Sequence, residues 1–211
     1  MVTLLPARAL LILAVLVTVI VPAERAAWWL LDTGPLASDP ELVLTGASAH
    51  GAVRVFGDHP GLEPGAAARL TVDRLTRDGG FDRSVLVVTV PTGSGWVDHD
   101  QVEALERWAG GDIATVALRY SSAPSAAVYL LRPDTAARSA RALLTEVAGR
   151  LRTMDRDDRP GLVVHGLSLG ALAGTAALTD PDVEGIVDSS LWQGLPGARA
   201  TPLVPPAGCV T

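Results

Sequence analysis

At the centre of this sequence stands Leu162-Val163-Val164-His165-Gly166-Leu167-Ser168-Leu169-Gly170, an apolar, β-branched run that leads into a G-x-S-x-G motif. Small apolar residues follow over 171–178 and favour a helix. A strand, a sharp turn and a helix in this order are the setting of a nucleophile elbow, in which a serine hydroxyl stands clear of the backbone. Ser168 is therefore the candidate nucleophile. The N–H of Leu169, at the start of the helix, is a candidate donor to an oxyanion.

Steric crowding explains why the motif has glycine at two of its positions. We expect a Cβ at Gly166 or Gly170 to collide with the neighbouring helix or strand, because an elbow packs backbone closely against backbone. The alternative is an ordinary glycine-rich turn that contains a serine by chance. The flanking strand and helix favour the elbow.

Composition narrows the class of protein. With 211 residues the chain can bury one sizeable core, which indicates one domain and an appendage. The net charge of −6 argues against nucleic acid as a partner. A single cysteine excludes an internal disulfide framework. Since the sequence has no P-loop, GxGxxG, CxxC or HExxH motif, we expect neither a cofactor nor a metal.

The N-terminus is strongly apolar. Residues 9–23 carry no charge and are fewer than the about 20 that a spanning helix needs, so they suit the core of a signal peptide. A helix that starts at Leu4 would instead be long enough for a membrane anchor, with Trp28 and Trp29 at the outer interface. A buried helix is the third alternative. Residues 1–31 are thus predicted to be a signal peptide or an anchor, and the protein to be membrane-anchored or exported to the cell envelope.

Strand and helix patterns alternate along the rest of the chain. After a linker at 32–50, this alternation predicts a parallel sheet with helices on its faces and an irregular tail at 196–211. The predicted strands are 41–44, 52–56, 85–90, 113–118, 162–167 and 183–187. The predicted helices are 64–79, 98–109, with Val102, Leu105 and Trp108 on one face, 134–154 and 169–178. The carboxyl ends of parallel strands share one rim, where a site is expected.

A second oxyanion donor is expected from the loop after strand 85–90. That loop reads Thr92-Gly93-Ser94-Gly95-Trp96, and its glycines allow backbone to approach a substrate closely. Gly93, Ser94 and Gly95 are the candidates. A flexible turn between strand and helix is the alternative.

An acid and a base are harder to find. An elbow enzyme of this kind carries its acid and its histidine after the serine, but all four histidines here precede Ser168. His99 is a candidate base, because its loop opens on the same rim, and an exposed helical residue is the alternative. Asp188 is a candidate acid, with a solvated loop carboxylate as the alternative. His165 is expected to be a buried structural histidine. The sequence shows no complete triad.

Further segments carry a family resemblance over about 52–195. They are Gly80-Phe81-Asp82-Arg83-Ser84-Val85-Leu86-Val87-Val88, Pro91-Thr92-Gly93-Ser94-Gly95-Trp96-Val97-Asp98, Gly111-Asp112-Ile113-Ala114-Thr115-Val116-Ala117, Tyr120-Ser121, Arg159-Pro160 and His165-Gly166-Leu167-Ser168-Leu169-Gly170-Ala171. On these segments the chain resembles an actinobacterial family of membrane-associated α/β-hydrolase-domain proteins. The resemblance implies a three-layer α/β sandwich of the α/β-hydrolase type, with a mostly parallel sheet, over 51–195.

The resemblance also implies a serine hydrolase at a membrane, and two departures qualify that expectation. Relatives carry several membrane spans where this chain has one short apolar segment, and their sheet continues beyond Leu195 to the strands that supply the acid and histidine. We therefore expect a C-terminally truncated, impaired esterase- or lipase-like enzyme that acts on a small-molecule or lipid ester through Ser168. The alternative is a non-catalytic relative that binds a lipid or protein partner at the membrane.

Overall fold

The computed structural model describes residues 21–37, 42–183 and 185–195 and contains one parallel sheet. Its order is β1-β3-β2-β4-β5, and each of the neighbouring pairs is parallel. The strands are β1 (Val53–Gly57), β2 (Val85–Val90), β3 (Ile113–Leu118), β4 (Gly161–Leu167) and β5 (Ser189–Gln193). The predicted parallel sheet is confirmed.

Helices cover both faces of the sheet. They are α1 (Val21–Asp32), α2 (Pro64–Arg77), α3 (His99–Trp108), α4 (Ser125–Leu131), α5 (Pro133–Arg152) and α6 (Leu169–Ala177), with 3₁₀ turns at Val43–Thr45, Gly80–Asp82 and Arg156–Asp158. Helices α2, α5 and α6 pack side by side on one face. Helix α3 and the turn Val43–Thr45 pack on the other. This three-layer arrangement explains why β2 and β3 are apolar almost throughout.

The strand predicted over 183–187 is wrong. Val183 is buried but belongs to a turn, and the backbone at Gly185 has a φ of +81°, which no regular strand adopts. The fifth strand begins at Ser189, after Asp188. The strand predicted at 41–44 is also wrong, because Val43–Thr45 form a 3₁₀ turn.

Helix α3 buries a different face from the one predicted. Val102 is buried and Leu105 is half-buried, but Trp108 is 74% exposed. The second fully buried residue of the helix is Glu106, one turn after Val102. The apolar pattern therefore predicts the helix correctly but not the face of the helix that is buried.

Glu106 forms a buried ion pair with Arg54 of β1. Its carboxylate accepts hydrogen bonds from Arg54 Nε at 2.6 Å, from Arg54 Nη2 at 2.8 Å and from Ser48 Oγ at 2.7 Å. Burial alone would raise the pKa of the Glu106 carboxyl, but these hydrogen bonds together hold it below its usual value. The pair ties α3 to β1 of the sheet and to the segment before β1.

Helix α1 is docked on the domain at two places. The carboxylate of Asp32 accepts hydrogen bonds from Ser121 Oγ and from the Ser122 N–H, both at 2.7 Å. The guanidinium of Arg132 pairs with Glu24 and lies 5.3 Å from the centroid of the Trp28 ring. Of the two tryptophans predicted at an interface, Trp28 is thus half-buried against the domain.

No helix in the described part of the chain is long and apolar enough to cross a membrane. Most of the segment predicted to be a signal peptide or anchor, residues 1–20, lies outside the described residues, as do residues 38–41 and the tail at 196–211. Residues 33–37 of the predicted linker form turns.

Candidate active site

Ser168 occupies the turn between β4, which ends at Leu167, and α6, which begins at Leu169. Its φ of 53° and ψ of −115° make it the one described non-glycine residue with a positive φ. Such a conformation is strained for a residue with a Cβ and is typical of functional sites. Its N–H donates to the Gln193 carbonyl at 2.8 Å, which ties the turn to β5. The serine is exposed, so its hydroxyl is open to a ligand.

Close backbone packing holds this turn in place. A Cβ on Gly166 would lie 2.6 Å from the carbonyl oxygen of Gly170. A Cβ on Gly170 would overlap the carbonyl oxygen of Val90 and lie 2.9 Å from that of Pro91. The first contact is with α6 and the second with the end of β2, as the sequence predicts for an elbow.

A shallow, mainly apolar pocket of about 290 Å³ lies beside Ser168. Its lining consists of Ser125, Ala126, Tyr129, Ser168 and Leu169. The Leu169 N–H belongs to the first turn of α6 and has no hydrogen-bond acceptor within the described residues. An acyl group in this pocket would therefore meet a hydroxyl nucleophile and a free N–H donor.

The loop after β2, which holds the oxyanion candidates Gly93, Ser94 and Gly95, contacts the pocket residue Ser125, but two of these three N–H groups are already used. The Gly93 N–H donates to Ser125 Oγ at 2.9 Å, and the Gly95 N–H donates to the Thr92 carbonyl at 3.0 Å. Gly93 packs so closely on Ser125 that a Cβ there would overlap the Ser125 backbone. Ser94 is half-buried and does not line the pocket. The loop thus reaches the site through Ser125, which sequence reasoning missed.

Asp188 does not lie near Ser168. Its carboxylate accepts a hydrogen bond from the Leu162 N–H at 2.7 Å, and its own N–H donates to the Leu162 carbonyl at 2.9 Å. Leu162 is at the amino end of β4, whereas Ser168 follows the carboxyl end. Asp188 therefore lies at the opposite end of the strands from Ser168, and the structure does not bring the two residues together.

The structure does not place His99 in contact with Ser168 either. Its Nε2 lies 3.5 Å from Glu103 Oε1 and its Nδ1 lies 3.7 Å from Asp100 Oδ1. Its side chain is 52% exposed in the first turn of α3. Within the described residues His99 contacts carboxylates of its own helix, as the alternative interpretation predicted.

His165 is the buried histidine that the sequence predicts in β4. It is 3% exposed, and its Nε2 has no hydrogen-bond partner within the described residues. Burial lowers its pKa to about 4, although a hydrogen bond with Gln193 and the Asp98 carboxylate act in the opposite direction. The imidazole is therefore neutral at pH 7.

This burial makes stability depend on pH in a defined direction. The unfolded chain takes up a proton at His165 below a pH of about 6.5, and the folded chain does so only near 4. Stability is consequently lost as the pH falls through this interval, by about 2 kcal/mol between pH 7 and pH 5. Urea unfolding at both pH values should show a smaller loss for His165→Gln than for the wild type. His59→Gln, which changes a half-buried histidine, should keep the wild-type difference.

Comparison with known proteins bears on the same region. A family model described as the alpha/beta-hydrolase family matches residues 53–202, which includes the sheet and the Ser168 turn. No curated protein matches the chain, and no solved structure does. The match covers more than half of the chain and agrees with the parallel sheet flanked by helices. The chain belongs to the alpha/beta-hydrolase family.

Proposed function

We propose that this protein is a serine hydrolase that cleaves carboxylic esters through Ser168. The observation that carries the proposal is the strained, exposed conformation of Ser168 beside an apolar pocket. Ser168 Oγ would attack the acyl carbon, and the developing oxyanion would face the Leu169 N–H. The alcohol leaves with the hydroxyl proton of the serine, and water then releases the acid from the acyl-enzyme.

We also propose that the protein acts at a membrane on a lipid ester. Support comes from exposed apolar side chains on and just after α1, and on α4, which are Trp29, Leu30, Leu36, Tyr129, Leu130 and Leu131. The two helices are joined by the contacts of Arg132 with Glu24 and Trp28. Tyr129 also lines the Ser168 pocket. Exposed apolar surface that continues into a pocket is typical of a lipid-binding site.

A second candidate function is lipid binding without hydrolysis. It is favoured by the surroundings of the Ser168 hydroxyl, which has no hydrogen-bond partner within the described residues. An unassisted serine hydroxyl is a poor nucleophile at neutral pH. The two functions differ in whether the serine is activated.

Labelling with a fluorophosphonate probe distinguishes ester hydrolysis from lipid binding without hydrolysis. The full-length protein is expected to be labelled, and Ser168→Ala should reduce the labelling to background, because the probe reacts with an activated serine. Ser189→Ala, which changes an exposed serine of β5, should be labelled like the wild type. Folded wild-type protein that stays unlabelled would exclude the hydrolase and leave the binding function.

A further inference from the structure

Ser125 is a second hydroxyl in the Ser168 pocket. It is the first residue of α4, and it follows the loop that leaves the carboxyl end of β3. Its Oγ accepts the Gly93 N–H at 2.9 Å. Ser125 lines the pocket together with Ser168 and Leu169. The residue thus connects the loop after β2 to the place where an acyl group would bind.

The hydrogen bond from Gly93 restricts the direction in which the Ser125 hydroxyl can donate its own proton. A serine hydroxyl has two acceptor lone pairs and one donor proton. Gly93 uses one lone pair, and the proton has no acceptor within the described residues. Because the Gly93 N–H already points at the oxygen, the proton must be directed elsewhere. The pocket is the open space next to this side chain.

The glycines of the loop after β2 do not supply a second donor. Acyl transfer usually needs two donors for the oxyanion, and the N–H groups of Gly93 and Gly95 are both engaged. Ser94 is not part of the pocket lining. The Leu169 N–H has no acceptor within the described residues, so one donor is in place.

We propose that the Ser125 hydroxyl is the second oxyanion donor, and that Gly93 is the residue that positions it. The assignment rests on the proposed attack by Ser168. When the bond from Ser168 Oγ to the acyl carbon forms, the carbonyl π pair moves to oxygen, which accepts hydrogen bonds from the Ser125 O–H and the Leu169 N–H. When the intermediate collapses, the carbonyl re-forms, and the alcohol leaves with the Ser168 proton. Ser125 itself keeps its proton throughout.

The test is steady-state hydrolysis of p-nitrophenyl butyrate by the full-length protein. Ser125→Ala is expected to lower kcat by about 10²–10³-fold with little change in KM, because the lost interaction exists only in the transition state. Ser125→Thr keeps the hydroxyl and should recover most of the rate. Ser122→Ala changes a serine of the same loop that does not line this pocket, and it should leave kcat unchanged.

Stability is measured on the same variants, since Ser125→Ala also removes the partner of the Gly93 N–H. The rates are therefore normalised to the folded fraction from urea unfolding. A kcat of Ser125→Ala equal to that of the wild type would overturn the assignment of Ser125 and leave the hydrolase intact. A wild type no faster than Ser168→Ala would overturn the proposed function itself, and the assignment with it.

Discussion

Gly170→Ala is expected to destabilise the protein by at least about 3 kcal/mol, at the upper end of the range for overpacking. The added methyl group would overlap the Val90 carbonyl oxygen and approach that of Pro91 to 2.9 Å. Both atoms are backbone at the end of β2, so no change of side-chain rotamer can relieve the contact. Helix α6 would have to move away from the sheet, and the Ser168 turn would move with it.

Urea unfolding measures this effect, and a second glycine gives the control. Gly149 lies in α5, and a Cβ placed on it meets no atom within 4 Å. Gly149→Ala should stabilise the protein by about 0.5–1 kcal/mol, since alanine is the better helix former and restricts the unfolded chain. Equal stability of Gly170→Ala and the wild type would show that α6 does not contact β2 as described.

Glu106→Ala is expected to destabilise the protein by about 3–5 kcal/mol, because it leaves a buried guanidinium without its counter-charge. The Arg54 side chain is 6% exposed, and the carboxylate it would lose is fully buried. The remaining acceptors of Arg54 are the carbonyls of Val43 and Ala47, both at the long distance of 3.4 Å. They cannot replace the paired carboxylate.

Two further variants isolate the reason for that loss. Glu103→Ala removes a partly exposed carboxylate from the same helix, and it should change the free energy of unfolding by no more than about 1 kcal/mol. The double substitution Arg54→Met with Glu106→Leu removes both charges together and should restore most of the stability. A Glu106→Ala variant as stable as Glu103→Ala would contradict the buried pair.

The central strands could be predicted from the sequence because they are covered on both faces. The apolar runs at 85–90 and 113–118 coincide with β2 and β3, and the run before the motif coincides with β4. The edge strand β5 could not be found in this way. Its residues read Ser-Ser-Leu-Trp-Gln and are half-buried or exposed, so the apolar pattern favours the turn-forming stretch around Val183 instead.

Only the part of the site that lies within one short stretch of the sequence could be predicted. Ser168, its two glycines and the Leu169 N–H belong to one short stretch, and the motif identifies them together. Ser125 lines the pocket, and its hydrogen bond joins it to Gly93, 32 positions away, which no local pattern encodes. The position of Asp188 could not be predicted from a local pattern either, since it depends on where β5 begins.

The backbone at Ser168 also has an evolutionary consequence. Glycine adopts a positive φ without strain, so a lineage with no use for this hydroxyl would gain stability by exchanging the serine for glycine. Selection for stability alone would therefore favour glycine at this position. We therefore expect serine at this position in relatives that use the hydroxyl, and glycine in relatives that have lost that use.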